Sequence, residues 1–164
     1  MKYGNRLAAI PAMLLLAAAA AQQGADFRMV DLPAGEAGVK LGQVGLVDAG
    51  TIKIDGDVRS FTMYMHQSEA SLTVRADVRI NCRDRTESLA AIAKEKGDDA
   101  TFDTPVPINE PWGKADKDAT GAQIVNLVCA PAAERDRYAP RLPANDWHSA
   151  LEAALARKGE EKRQ

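Results

Sequence analysis

Residues 72–82 read Leu-Thr-Val-Arg-Ala-Asp-Val-Arg-Ile-Asn-Cys, and this stretch decides the fold. Leu72, Val74, Ala76, Val78, Ile80 and Cys82 alternate without a break with Thr73, Arg75, Asp77, Arg79 and Asn81. A period of two sends successive side chains to opposite faces of a strand, so one face is dry and the other wet. Cys82 belongs to the dry face. A sheet with one dry face needs a cover, and the cover must come from elsewhere in the chain.

Upstream, the pattern continues. Phe61, Met63 and Met65 point one way and Ser60, Thr62 and Tyr64 the other, which makes the two methionines core residues. Asp55-Gly56 marks a hairpin, because glycine accepts the positive φ of a tight turn. Before it, Val44 to Asp48 reads as a strand, Ala49-Gly50 as a turn and Thr51 to Ile54 as its continuation. Phe27 to Val30 adds one short strand inside an otherwise loop-like stretch.

Downstream, Glu87 to Lys96 has helical propensity, with Ala90, Ala91 and Ala93 ahead of Gly97. Asp98 to Asp118 is polar and punctuated by Pro105, Pro107 and Pro111, with Trp112 its one large apolar residue. Thr120-Gly121-Ala122-Gln123 has the spacing of a capping box. Ile124, Leu127 and Val128 follow at helical spacing, so Cys129 lies on a helix that covers the dry face. Pro131 ends that helix, and a linker with Pro140 and Pro143 leads to a second one. Asn145 or Asp146 caps it, its apolar stripe is Trp147, Ala150, Leu151, Ala154 and Leu155, and Gly159 stops it.

The ends and the charge bound the function. The chain has 164 residues and a formal net charge of -2, which excludes nucleic-acid binding by bulk basicity. Aromatic residues make up 5%, too few for a stacking platform on single strands. Lys2 and Arg6, an apolar run from Leu7 to Ala21, and small residues at Ala19 and Ala21 form a secretory signal peptide over 1–21. The run is short for a bilayer span. No cysteine follows it before Cys82, so no lipid anchor is expected on the mature chain, which should be periplasmic or secreted. In such an oxidising compartment two cysteines favour a disulfide, and Cys82 with Cys129 is the one intramolecular pairing.

Between Val44 and Cys129, roughly half of the chain, the sequence resembles the surface-adhesin E family of bacterial envelope proteins. The matching features are Val47-Asp48 and Thr51-Ile52, the hairpin Asp55-Gly56-Asp57, and the strand end Arg79-Ile80-Asn81-Cys82-Arg83. Gly97, Trp112 and a helix ending Val128-Cys129 complete them. The resemblance implies an α+β fold: a curved antiparallel sheet, a helix tethered to one face by the disulfide, and here an additional C-terminal helix. It also implies that Thr86 to Glu95 is a strand, against its propensity. The chain then divides into a signal peptide (1–21), an N-terminal extension (22–43), the adhesin E-like domain (44–130), and a linker, amphipathic helix and charged tail (131–164). The implied role is non-enzymatic binding or support of another protein or envelope component, with a homodimer as a further option.

Three constellations bear on chemistry. Asp116, Asp118 and Gly121 mimic the start of a calcium loop, but position twelve is Leu127 where a bidentate Glu is required, so no metal and no cofactor is expected. His66, Tyr64 and Glu69 are the candidates for the alternative reading, a small periplasmic enzyme. No nucleophile elbow accompanies them, and a surface position is the simpler expectation for both His66 and His148. Arg75 and Arg79 share the wet strand face with Asp77 between them, and Arg83 continues their register. These three arginines are the candidate grip for an anionic partner, against the plainer account of alternating charges on a solvated strand.

Overall fold

The computed structural model describes residues 24–32, 44–97, 101–161 and 163. The stretch read as a signal peptide (1–21) and most of the segment read as an N-terminal extension lie outside them. The strands are β1 (Phe27–Val30), β2 (Val44–Asp55), β3 (Val58–Gln67), β4 (Leu72–Asn81), β5 (Thr86–Lys96), β6 (Thr101–Phe102), β7 (Val106–Pro107) and β8 (Gly113–Lys114). Two helices follow, α1 (Ala119–Cys129) and α2 (Trp147–Glu161). The strands form one curled antiparallel sheet in the order β1-β2-β3-β4-β5-β6, with β7 and β8 also on the outer side of β5. The fold is α+β.

The period-two reading of 72–82 sets the two faces. Val78 lies opposite Phe61 and Ala76 opposite Met63, and Met63 in turn opposes Val47. These side chains share a face, and α1 covers it with buried Val125, Leu127 and Val128. Cys82 and Cys129 pack at the margin of that core and are joined by a disulfide with Cα atoms 5.7 Å apart. The bond closes 47 residues, and the chain-entropy relation makes that worth about 4 kcal/mol. Met63 is buried and Met65 packs against the same core.

The start of α1 differs from the capping-box expectation. Asp118 is the N-cap and its carboxylate accepts from the Gly121 amide at 2.7 Å. Thr120 instead donates to the Asp31 carbonyl, and Gln123 to the Tyr138 carbonyl. Both side chains tie the helix to its surroundings rather than to itself. Gly121 is there for space: a Cβ would meet the Ala115 carbonyl oxygen at 2.0 Å.

Two other local expectations are corrected. Ala49-Gly50 is a bulge inside one continuous strand and not a turn: β2 runs from Val44 to Asp55, and its register slips between Asp48 and Lys53. Gly159 does not stop α2, which continues to Glu161. Thr86 to Glu95 lies in strand β5, as the resemblance implied. Pairing to β4 on one side and to β7 and β8 on the other outweighs helical propensity there. The hairpin at Gly56 forms with Asp55 opposite Val58 and Gly56 at φ +55°.

β1, within the segment read as an extension, is an integral strand with all four residues buried. The linker after Pro131 also has a structural task. A 3-10 turn at Ala132–Arg137 lies beside the α1 core. The chain then rounds the β1 edge, where Arg141 bridges Arg28 and the Leu142 amide donates to the Phe27 carbonyl. Leu142 arrives in a second core on the opposite face. Here Phe27, Met29, Val44 and Leu46 meet Ala150, Leu151 and Ala154 of α2. Asp146 caps α2 by accepting from the Ser149 amide at 2.8 Å. At the turn of the edge sit two buried arginines, Arg28 and Arg135, with Asp26 between them.

The opposite edge is blunted differently. Pro107 lies in β7 and Pro105 and Pro111 stand beside the short strands outside β5, and proline cannot donate to a further strand. Among the described residues no helix is long and apolar enough to cross a membrane.

Candidate functional site

The α2 face of the sheet is only half filled. Its residues follow from register, because residues directly opposite each other in an antiparallel pair point to the same side. Leu46, Tyr64, Arg75 and Ala93 form one row across β2 to β5. Asp48, Thr62, Asp77 and Ala91 form the next, and Lys53, Ser60, Arg79 and Ser88 the one after. Apolar character ends at the first row. Beyond it the rows are polar; the Glu110–Trp112 segment closes over their β5 end, and no helix among the described residues covers the rest.

The boundary is aromatic. Tyr64 stacks on Trp147 with ring centres 5.6 Å apart, and Phe102 lies 5.0 Å from Trp147 and 5.7 Å from Tyr64. Phe27 completes the group at 6.2 Å from Tyr64. This wall closes the half of the face under α2. On its other side lies an open cleft of about 560 Å³. The β2 bulge (Gly50–Lys53), Ser60, Thr62, Arg75, Asp77 and Arg79 line it, together with apolar Phe61, Val78 and Ala90.

The bulge opens the cleft and is itself held by side chains. The Gly50 amide donates to the Asp48 carboxylate at 3.0 Å, and the Thr51 hydroxyl to the Asp48 carbonyl at 2.7 Å. The Thr51 oxygen accepts in turn from the Thr62 amide at 2.9 Å. Backbone groups that the slipped register would leave unpaired are thereby satisfied. Burial pushes the Asp48 carboxyl up from its ordinary value.

Charge in the cleft is unbalanced. Arg75 pairs with Asp77 at 3.0 Å, and Asp77 also accepts from the Thr62 hydroxyl. Arg79 donates to the buried Ser88 hydroxyl at 3.1 Å, and Ser88 donates onward to the Glu110 carbonyl at 2.6 Å. The Arg79 guanidinium also lies 5.6 Å from the centre of the Trp112 ring, a cation–π contact. Neither Arg79 nor the exposed Lys53 has a carboxylate partner among the described residues. The Nε atoms of Arg75 and Arg79 are both buried and lack a hydrogen-bond partner. Three cations, Lys53, Arg75 and Arg79, thus stand on a face that carries two carboxylates, Asp77 and the bulge-bound Asp48.

The candidate residues separate. Arg75 and Arg79 come together in the cleft. Arg83 does not: it lies in the turn after β4, largely exposed, and pairs with Asp57 at 2.7 Å. Tyr64 belongs to the aromatic wall. His66 is half-buried rather than on the surface, with Nδ1 3.2 Å from the Thr73 hydroxyl, and burial lowers its pKa. The Glu69 side chain lies outside the described residues. Asp116 pairs with Arg85 at 2.7 Å and Asp118 caps α1, so the two carboxylates of the calcium-like stretch serve structural bonds.

Sequence reasoning missed Lys53, Thr51 and the role of Trp112. Ser60 and Thr62 were legible as the wet side of β3. Laying that side against the wet side of β4 would have placed them beside Arg79 and Asp77. Lys53 was hidden by the bulge, which shifts the parity of everything before it. Comparison with protein-family models, with curated proteins and with solved structures finds no match for this chain.

Proposed function

We propose that this protein is an exported, non-enzymatic module of the bacterial envelope, of the surface-adhesin E type. In this reading it acts in the periplasm or outside the cell, and it holds another protein or envelope component against the open half of its sheet. One observation carries the proposal: the α2 face turns from apolar to cationic midway, on strands whose register is pinned on both sides. A rigid, partly desolvated cluster of cations with unused donors suits recognition of a partner, because its groups need little ordering on binding. Exposed solvating charges would show no such clustering or unpaired buried nitrogen atoms.

The test is site-specific photo-crosslinking in intact cells. A photoreactive residue at Ser60, inside the cleft, is expected to form a discrete adduct. The same residue at Arg83, outside it, is expected to form none. Adducts at Arg83 with none at Ser60 would move the binding surface elsewhere and overturn the proposal.

A further inference from the structure

The row Lys53–Ser60–Arg79 has a chemistry narrower than "anionic partner". Neighbouring strands lie about 4.8 Å apart, so Lys53 and Arg79 stand about 10 Å apart at the backbone with Ser60 between them. Ser88 holds the Arg79 guanidinium toward β5, so it is the long, exposed Lys53 side chain that reaches over the serine toward it. Arg75, one side of the cleft further on, is already neutralised by Asp77. The uncompensated charge at the row is therefore that of Lys53 and Arg79 together.

Donors in the row count to three. The Lys53 ammonium is unpaired, the Ser60 hydroxyl has no partner among the described residues, and the Arg79 guanidinium spends only one of its N–H groups, on Ser88. Arg79 is also fixed in place, by Ser88 on one side and the Trp112 ring on the other. A phosphate monoester carries a charge of about -1.5 to -2 at neutral pH and three acceptor oxygens. A carboxylate offers one charge and two oxygens, and leaves one cation and one donor unmatched. We infer that the Lys53–Ser60–Arg79 row binds a phosphate group, free or carried on a larger envelope molecule. The inference rests on the open half of the sheet being the binding face.

The experiment is a titration of the full mature chain followed by amide NMR at constant ionic strength. Inorganic phosphate, glycerol 3-phosphate, acetate and sodium chloride are the four solutes. Vesicles of phosphatidylcholine with and without phosphatidic acid form a parallel sedimentation arm. Saturable shifts at Lys53, Ser60, Arg79 and Ser88 with phosphate, and not with chloride, are expected. Lys53→Gln, on an exposed side chain that the fold does not need, should weaken phosphate binding by about tenfold, the loss of one charge-assisted hydrogen bond. Arg79→Lys keeps a positive charge but lacks the forked guanidinium N–H groups and should weaken it similarly. Arg83→Gln should leave it unchanged.

A preference for glycerol 3-phosphate over inorganic phosphate places the group on a soluble ester. Sedimentation only with phosphatidic acid places it on a lipid. Equal shifts from acetate and phosphate, shifts that follow ionic strength alone, or full affinity in Lys53→Gln would each overturn the inference. If phosphate fails while crosslinks at Ser60 still form, the binding face stands and the phosphate does not. If phosphate binds while Ser60 captures nothing, the reverse holds.

Discussion

The two faces of this sheet are finished in different ways. The α1 face is apolar from β2 to β4, and one helix seals it, with a covalent bond at the helix end. The α2 face is apolar only as far as the row through Leu46 and Tyr64, where an aromatic wall stands, and the remainder is a cationic cleft. The helix on the first face is 11 residues long and the helix on the second is 15. Neither length is stable alone in water, so each depends on what it buries. The first has a disulfide as well. The second relies on Ala150, Leu151, Ala154 and Trp147, and on an ion pair between Lys158 and Asp31. The lesson is that a sheet with one complete and one incomplete apolar face can serve as scaffold on one side and as site on the other. The incomplete side need not be unstable, because its strands are pinned from behind.

Substitutions can break or sharpen that contrast. The largest effect is expected at the β1 edge, where the chain passes between faces. Burial works against the charge on Arg28, and hydrogen bonds from its guanidinium to Asp26 and Asp136 outweigh it. Arg135, equally buried, has Asp26 at 3.9 Å. Asp26→Ala leaves two buried guanidinium groups short of a partner, and such a loss costs about 3–5 kcal/mol. Denaturant titration should show both faces loosening together. A variant as stable as the parent would mean that the edge does not couple them.

Removing the disulfide comes next. Cys82→Ser with Cys129→Ser should cost about 2–4 kcal/mol. Hydrogen exchange should quicken first in α1, while the near-ultraviolet circular dichroism of the Tyr64–Trp147 stack persists. Loss of both signals together would erase the distinction between the faces. Leu151→Ala is the converse. It empties part of the second core at a cost of about 2–3 kcal/mol, loosens α2, and leaves α1 protected.

The smallest effect is a pH dependence confined to the α2 face. His66 has its pKa lowered by burial, with Glu95 pulling weakly the other way. The folded state therefore resists the proton more than the unfolded chain does. Its contribution is fully present above the ordinary histidine value of about 6.5 and is lost as pH falls through that value towards the folded one. Melting temperature should decline from pH 7.5 to pH 5, and His66→Gln should flatten that decline. An unchanged slope in the variant would show that His66 is not its source.

Much of the fold was readable in one dimension. Strict alternation at 72–82 defined a strand, its faces and the side of Cys82, because a pleated strand has no other way to place those residues. The apolar stripes at 124–128 and 147–155 defined two helices for the same geometric reason. Local end signals were less reliable. Thr120 and Gln123 could have capped α1, but the helix starts earlier, with Asp118 accepting from the Gly121 amide, and tertiary partners took the other two side chains.

By itself, then, the sequence determined the secondary elements with long patterns, the single cysteine pairing open to the chain, and the dry and wet sides of β3 and β4. Tertiary structure decided which wet residues would meet. Lys53, Ser60 and Arg79 come from three strands and are brought into one row by a hairpin register and a bulge. It also decided that β5 is a strand, that β1 belongs to the sheet, and that the residues after Pro131 wrap an edge rather than merely link. The physical reason is common to all of these. Periodicity is a property of one segment, whereas register, edge coverage and the halting of a core midway across a face are properties of segments in contact.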